Sequence, residues 1–276
     1  MKNIFVYCIL VSFLTGCEGG KVMYERGELQ SMSKIAEPAW QKLSQKKIYF
    51  GHQSVGYNII DGISKIMQSN RSIKLNIVKT TDPAAFDQPI FAHSDVGKND
   101  DTDSKIGAFG EYIQKGIGDK ADIAFFKFCY WDIRRETDIK TVFSHYKAKL
   151  SELKAQYPKT KFIHFTVPLM SYQDGIKDKI KRALNMEIGP DVDNIRRNEL
   201  NEMILKEYSG KDPIFDIAKI ESTLPDGTRT SFSKDGKIYY YLASEYTHDG
   251  GHLNDAGMKI VAEQFLINLA RIAEKS

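Results

Sequence analysis

The sequence has little cysteine, almost no net charge and no apolar run long enough to cross a bilayer as a helix. Only three cysteines, Cys8, Cys17 and Cys129, occur in 276 residues. Cys8 belongs to an amino-terminal apolar segment and Cys17 to a processing motif, so Cys129 has no partner and an internal disulfide is excluded. A domain of about 260 residues buries enough apolar surface to fold without one. Lys and Arg number 39 against 36 Asp and Glu, a formal charge of +3. With no basic stripe, nucleic acid is excluded as a partner. The most basic run, Lys177 to Arg182 (KDKIKR), suits the solvated face of a helix better than a phosphate patch. No internal repeat and no low-complexity segment interrupts the chain.

What is present begins with a leader. Lys2 is followed by an apolar stretch from Ile4 to Leu14, too short for a transmembrane helix. Leu14-Thr15-Gly16-Cys17 resembles a bacterial lipobox. That resemblance implies cleavage before Cys17, lipidation of its sulfur and export to a membrane-anchored position on the periplasmic or cell-surface face. The expected organisation is a signal peptide over 1–16, a tether over 17–30 and one domain over 31–276.

In the domain, short apolar segments alternate with longer periodic ones. Ser31 to Ser44 reads as a helix interrupted by Pro38. Strands are predicted at Lys47–Gly51, Ile73–Lys79, Asp122–Tyr130, Lys161–Pro168 and Pro213–Ile217. Helices are predicted at Val55–Met67, Ile106–Ile117, Thr141–Tyr157, Ile195–Tyr208 and Asp255–Glu274. The alternation predicts an α/β fold, a three-layer α/β/α sandwich around a mainly parallel five-stranded sheet. An inserted β-hairpin is expected near 228–242, around the turn signal Asp235-Gly236.

Open parallel sheets collect ligands at the carboxyl ends of their strands. Ser54 falls there, directly after the first strand and at the start of a helix, in Gly51-His52-Gln53-Ser54-Val55-Gly56. A helix amino terminus offers N–H groups to a developing oxyanion, although a serine there is also an ordinary N-cap. Near the other end, Asp249-Gly250-Gly251-His252 precedes the last helix. The D-x-x-H spacing lets the carboxylate fold back onto one imidazole nitrogen and leaves the other for a serine.

In this order around an alternating α/β pattern, the two motifs resemble those of the SGNH (GDSL-like) hydrolase superfamily. The resemblance covers nearly all of the chain after the leader. It implies Ser54 as nucleophile, His252 as general base and then acid, and Asp249 as the residue that orients it. It departs from the family's pattern twice. The aspartate before the serine is missing, because Gln53 stands there. The asparagine that donates to the oxyanion falls on Trp131 in Cys129-Tyr130-Trp131-Asp132. In His93-Ser94-Asp95-Val96-Gly97-Lys98-Asn99, Gly97 matches the oxyanion-hole glycine that the resemblance implies and Asn99 is the expected substitute for the missing amide, completing an oxyanion hole with the Ser54 N–H.

The implied activity is a serine esterase working through an acyl-enzyme on a small-molecule or carbohydrate ester, such as O-acetyl groups. It needs no cofactor and no metal. An acyltransferase of the same fold is the near alternative and a non-catalytic binding lipoprotein the distant one. A metal site built from His248, Asp249 and His252 would leave the serine motif unexplained. Of the remaining residues, His52 reads as structural, Lys127 as a buried ammonium in need of a carboxylate such as Asp132, and Tyr239, Tyr240 and Tyr241 as hairpin packing rather than a sugar platform.

Overall fold

The computed structural model of the chain describes residues 27–172, 175–184 and 186–275. The expected signal peptide, Cys17 and most of the tether lie outside the described residues. The last stretch of that tether is held to the domain. The Gly27 N–H donates to Gly227 O at 2.9 Å, and the Gln30 backbone pairs with the Gln264 side chain at 2.9 and 2.8 Å.

A short 3-10 turn at Met32–Lys34 precedes α1, Glu37–Ser44. Pro38 lies in the first turn of α1 and starts the helix rather than interrupting it, since a missing N–H costs nothing there. The order then runs β1 Lys47–His52, α2 Val55–Ser69, β2 Ile77–Lys79, β3 Ile90–Asp95, α3 Thr102–Tyr112, β4 Ile123–Phe126 and α4 Ile139–Gln156. After it come β5 Lys161–Phe162, β6 His164–Phe165, α5 Ile176–Ala183, α6 Gly189–Tyr208, β7 Ile214–Phe215 and α7 Ile217–Glu221. The chain closes with β8 Ser231–Lys234, β9 Lys237–Tyr240 and α8 Asp255–Glu274.

The central sheet has five strands in the order β2-β3-β1-β4-β5, every pair parallel, as expected. β6 runs on from β5 past Ile163 and forms a separate parallel pair with β7. Helices cover both faces. Ile48, Phe50, Phe91 and Phe125 pack against α1, α2 and α8 through Trp40, Ile59, Ile63 and Phe265. Tyr49, Ala92, Ala124 and Phe126 pack on the other side against Phe109, Tyr146, Leu150 and Leu200 of α3, α4 and α6. Alternate residues of one strand thus feed opposite cores, as the pleat requires.

Three strand expectations are corrected. The strand predicted over Pro213–Ile217 is the two-residue β7, which pairs with β6 outside the five-stranded sheet. The strand predicted over Ile73–Lys79 shrinks to β2, a three-residue edge. The neighbour of β1 on that side is β3, which the sequence pattern did not predict. Its residues Ile90-Phe91-Ala92-His93-Ser94-Asp95 carry only a three-residue apolar run. His93 and Ser94 are nevertheless buried, because β3 lies between β1 and β2 and their side chains meet His52 and Tyr49 of β1. The hairpin forms as predicted, with Asp235 and Gly236 at φ 52° and 76° in its turn.

Candidate active site

Three neighbouring strands deliver the site. The loops after β1, β3 and β4 meet at the carboxyl edge of the sheet, and the loop before α8 closes over them. They line an open cleft of about 550 Å³ with Gln53, Ser54, Tyr57, Asp95, Asn99, Cys129, Tyr130, Trp131 and His252.

Ser54 stands at the N-cap position of α2, but its side chain makes no capping bond. Its Oγ lies 2.7 Å from His252 Nε2 instead. The backbone at Ser54 has φ 53° and ψ −115°, a combination that only glycine adopts without strain. The strain turns the side chain out of the helix cap and into the cleft. Gly56 makes the turn possible, since a Cβ there would sit 2.3 Å from the His52 ring. Gln53 joins the three loops. Its amide donates to Val96 O at 3.1 Å and Gly97 O at 2.5 Å, and its carbonyl accepts from Cys129 Sγ at 3.6 Å.

His252 Nδ1 lies 2.7 Å from Asp249 Oδ2. The other oxygen of Asp249 accepts the backbone N–H groups of Gly251 and His252 at 2.9 and 2.8 Å. Burial would raise the pKa of this carboxyl, but those N–H groups and the imidazole outweigh it and hold the group well below the usual carboxylate range. An ionised Asp249 accepts the hydrogen bond from His252 Nδ1–H, which leaves Nε2 unprotonated and free to accept from the serine hydroxyl. Gly251 is required here, because a Cβ would fall 2.6 Å from the Tyr130 ring.

The structure brings Ser54, His252 and Asp249 together across 198 residues of sequence. Asn99 lines the same cleft, and its Oδ1 accepts from Lys105 Nζ at 2.8 Å. Gly97 does not line the cleft itself. Its carbonyl accepts from Gln53, its φ is 55°, and a Cβ there would fall 2.5 Å from Lys105 N. Trp131 is 48% exposed at the cleft wall, with the Arg134 guanidinium 5.2 Å from its ring centre.

Lys127 does not pair with Asp132, contrary to expectation. Asp132 Oδ2 is taken by Lys105 at 2.6 Å, with both side chains fully buried. Asp132 also accepts the N–H groups of Cys129 at 2.7 Å and Asp100 at 2.9 Å. Lys127 Nζ faces Phe128 O at 3.4 Å and Cys129 Sγ at 3.6 Å, and burial pushes its ammonium down. Lys105 escaped the sequence reading because it precedes the predicted start of its helix. An ammonium beside the cap signal Asp101-Thr102-Asp103-Ser104 reads as a surface group. His52 is structural, as expected. It is fully buried, lies 2.9 Å from His93 Nδ1, and is driven down to about 2 by burial and by the charge on Lys127. Tyr239 is buried in the hairpin and Tyr240 lies under Arg229, 3.4 Å from its ring centre. None of Tyr239, Tyr240 and Tyr241 lines the cleft.

Also missed was a group at the cleft wall made of Tyr57, Asp95 and Lys79. The Tyr57 hydroxyl lies 2.6 Å from both Asp95 Oδ1 and Lys79 Nζ. Their separation in sequence hides the cluster. Among the described residues, no three His, Cys, Asp or Glu side chains are arranged to hold a metal ion. His248 is exposed, while both ring nitrogens of His252 are engaged by Ser54 and Asp249.

No protein-family model and no curated protein matches the sequence. Among solved structures, the chain is similar to an acetyl xylan esterase, at 15% identity over 79% of this chain and 97% of that one, with a TM-score of 0.46. It is similar to a carbohydrate esterase family 3 protein from Talaromyces cellulolyticus, at 14% identity over 83% and 98%, TM-score 0.46. It is also similar to a Streptococcus pneumonia protein provisionally named a platelet activating factor, at 15% identity over 86% and 94%, TM-score 0.48. Likenesses this distant carry no assignment, and the reading of function rests on the site residues.

Proposed function

We propose that this protein is a serine esterase of the SGNH type, acting through an acyl-enzyme on Ser54. The observation that carries the reading is the run of hydrogen bonds from Ser54 Oγ through His252 to Asp249, made by a serine whose side chain leaves the helix cap unfilled. A serine kept only as a cap would bond to α2 and would need no strained backbone.

In the proposed reaction, Ser54 Oγ attacks the ester carbonyl and passes its proton to His252 Nε2. Asp249 stabilises the imidazolium. The tetrahedral intermediate collapses, and its alcohol leaves with the proton from His252. Water then attacks the acyl-enzyme, losing a proton to His252, which returns it to Ser54 Oγ as the bond to the acyl carbon breaks and the acid is released. The oxyanion would be held by the Ser54 N–H and by the Asn99 amide, with Gly97, outside the cleft lining, shaping the loop that carries Asn99. Lys105 supports the assignment of Asn99. Because it occupies Asn99 Oδ1, the amide's donor end is directed away from the ammonium, and no residue is then needed at the position of Trp131.

A carbohydrate ester is favoured as substrate. Trp131 is half-exposed at the wall of an open cleft and backed by a guanidinium, an arrangement suited to stacking a sugar face. Export and anchoring through Cys17 belong to the same reading and rest on the leader sequence alone.

The test is labelling of the full chain by a fluorophosphonate, alongside hydrolysis of p-nitrophenyl acetate. The native protein should label and turn over, while Ser54→Ala and His252→Ala should do neither. Native protein that neither labels nor hydrolyses would favour a binding protein, and chelator-sensitive hydrolysis without labelling would favour a metal-dependent one. Transfer of the acyl group to an added sugar alcohol in place of acid release would assign the acyltransferase variant.

A further inference from the structure

Helix α5 has its apolar side outward. Ile176 is 79% exposed, Ile180 54% and Leu184, just past the helix, 66%. Their spacing of four puts them on one face. Met186 follows at 55%. These account for four of the six large apolar side chains exposed among the described residues, so they form a patch and not the usual scatter.

A helix that belongs to a core turns its apolar stripe inward. Among its described side chains, helix α5 has no buried residue. Its polar positions are Lys177, Asp178, Lys179, Lys181 and Arg182, four bases against one acid. Lys177 and Lys181 share the same spacing of four, so they flank the apolar stripe. No described helix is long and apolar enough to cross a membrane. An apolar face bordered by basic residues on a short helix is the pattern of a segment that lies in a lipid–water interface.

The chain that leads to α5 touches the loop that carries the catalytic pair. The Ser171 N–H donates to Gly250 O at 2.8 Å, inside the loop that carries Asp249 and His252, and α5 begins five residues later.

We propose that α5 is an interfacial docking helix for an anionic lipid surface. Ile176, Ile180 and Leu184 enter the boundary between headgroups and acyl chains, while Lys177 and Lys181 meet the lipid phosphates. Basic residues next to a bilayer are drawn to anionic lipid specifically, which separates this patch from a purely apolar docking face. The contact would rest the catalytic-loop side of the domain on the membrane. It requires neither esterase activity nor an acyl chain on Cys17.

Hydrogen exchange on the full chain reads the contact locally. With vesicles of phosphatidylglycerol and phosphatidylcholine, amide exchange over residues 176–184 should slow at least tenfold, and with phosphatidylcholine alone it should not. Ile180→Asp, and separately Lys177→Glu with Lys181→Glu, should remove that protection without changing the melting temperature, because these side chains are exposed. Ser54→Ala should retain it, which separates this outcome from that of the esterase reading. Exchange unchanged by anionic vesicles, or slowed equally by neutral ones, would overturn the proposal. Protection that appears only with a second protein would overturn it in favour of a protein partner.

Discussion

Lys105 reaches Asn99 Oδ1 at 2.8 Å with an ammonium that Asp132 holds at 2.6 Å from within the core. One buried ion pair thus fixes the orientation of an amide on the cleft wall. A salt bridge in such a place is weak support for stability, since desolvation opposes it, but it can specify geometry.

The proposed donor role of Asn99 separates cleanly from any structural one. Asn99→Asp keeps an acceptor for Lys105 and replaces the amide donor with a carboxylate oxygen that would also repel an oxyanion, while Asn99→Ala removes donor and acceptor together. The kcat of Asn99→Ala on p-nitrophenyl acetate should fall by about 100-fold or more with KM little changed, and that of Asn99→Asp at least as far, since an oxyanion donor acts in the transition state. If Asn99→Asp turns over like the native chain, Asn99 only anchors Lys105.

Backbone strain at Ser54 should be measurable as stability. Relative to Ser54→Ala, which retains the Cβ at φ 53°, Ser54→Gly should be more stable by about 1 kcal/mol. That order reverses the usual penalty for glycine. Urea midpoints for the two inactive variants make the comparison, and a less stable Ser54→Gly would count against strain.

Gly97 should tolerate no side chain. A Cβ there would fall 2.5 Å from the backbone nitrogen of Lys105, at a φ of 55°. Gly97→Ala is expected to cost about 2 kcal/mol or more and to reduce turnover by displacing the Asn99 loop. Chemical denaturation together with kcat checks both parts.

Acid should weaken the fold through buried imidazoles. Burial, aided by Lys127, pushes His52 down to about 2, and burial pushes His164 down to about 4, from an ordinary 6.5. Below pH 6.5 the unfolded chain takes up protons that the folded chain refuses. Stability is therefore complete above that pH and falls as pH drops, by about 1.4 kcal/mol per unit for each histidine. For His164 the loss ends near pH 4, after about 3 kcal/mol. His164→Gln should flatten the slope between pH 6 and about 4.5 by one proton's worth, read from denaturation midpoints across that range. An unchanged slope would mean that His164 is already charged in the fold.

Much of the architecture was legible because it is written in local pattern. The segments over β1, α2, α4 and α8 carry enough apolar residues at the right period to declare themselves. Strand β3 did not, because His93 and Ser94 break its apolar run and are buried only by the strands beside it. Helix α5 misled in the opposite sense. Its charge pattern suggests an ordinary solvated face, and only the fold reveals that its apolar face is solvated as well.

The sequence by itself determined the order of the parts. It set a serine after the first strand, D-x-x-H before the last helix, alternating segments between them, and three cysteines unable to cross-link the domain. Tertiary structure decided what those parts do to one another. It turned Ser54 out of its cap and placed His252 Nε2 2.7 Å from it. It also gave Asp132 to Lys105 rather than to Lys127. The physical reason is one of range. Periodicity and turn signals depend on neighbours along the chain. Hydrogen bonds, ion pairs and burial depend on atoms that only the folded sheet brings within a few ångströms.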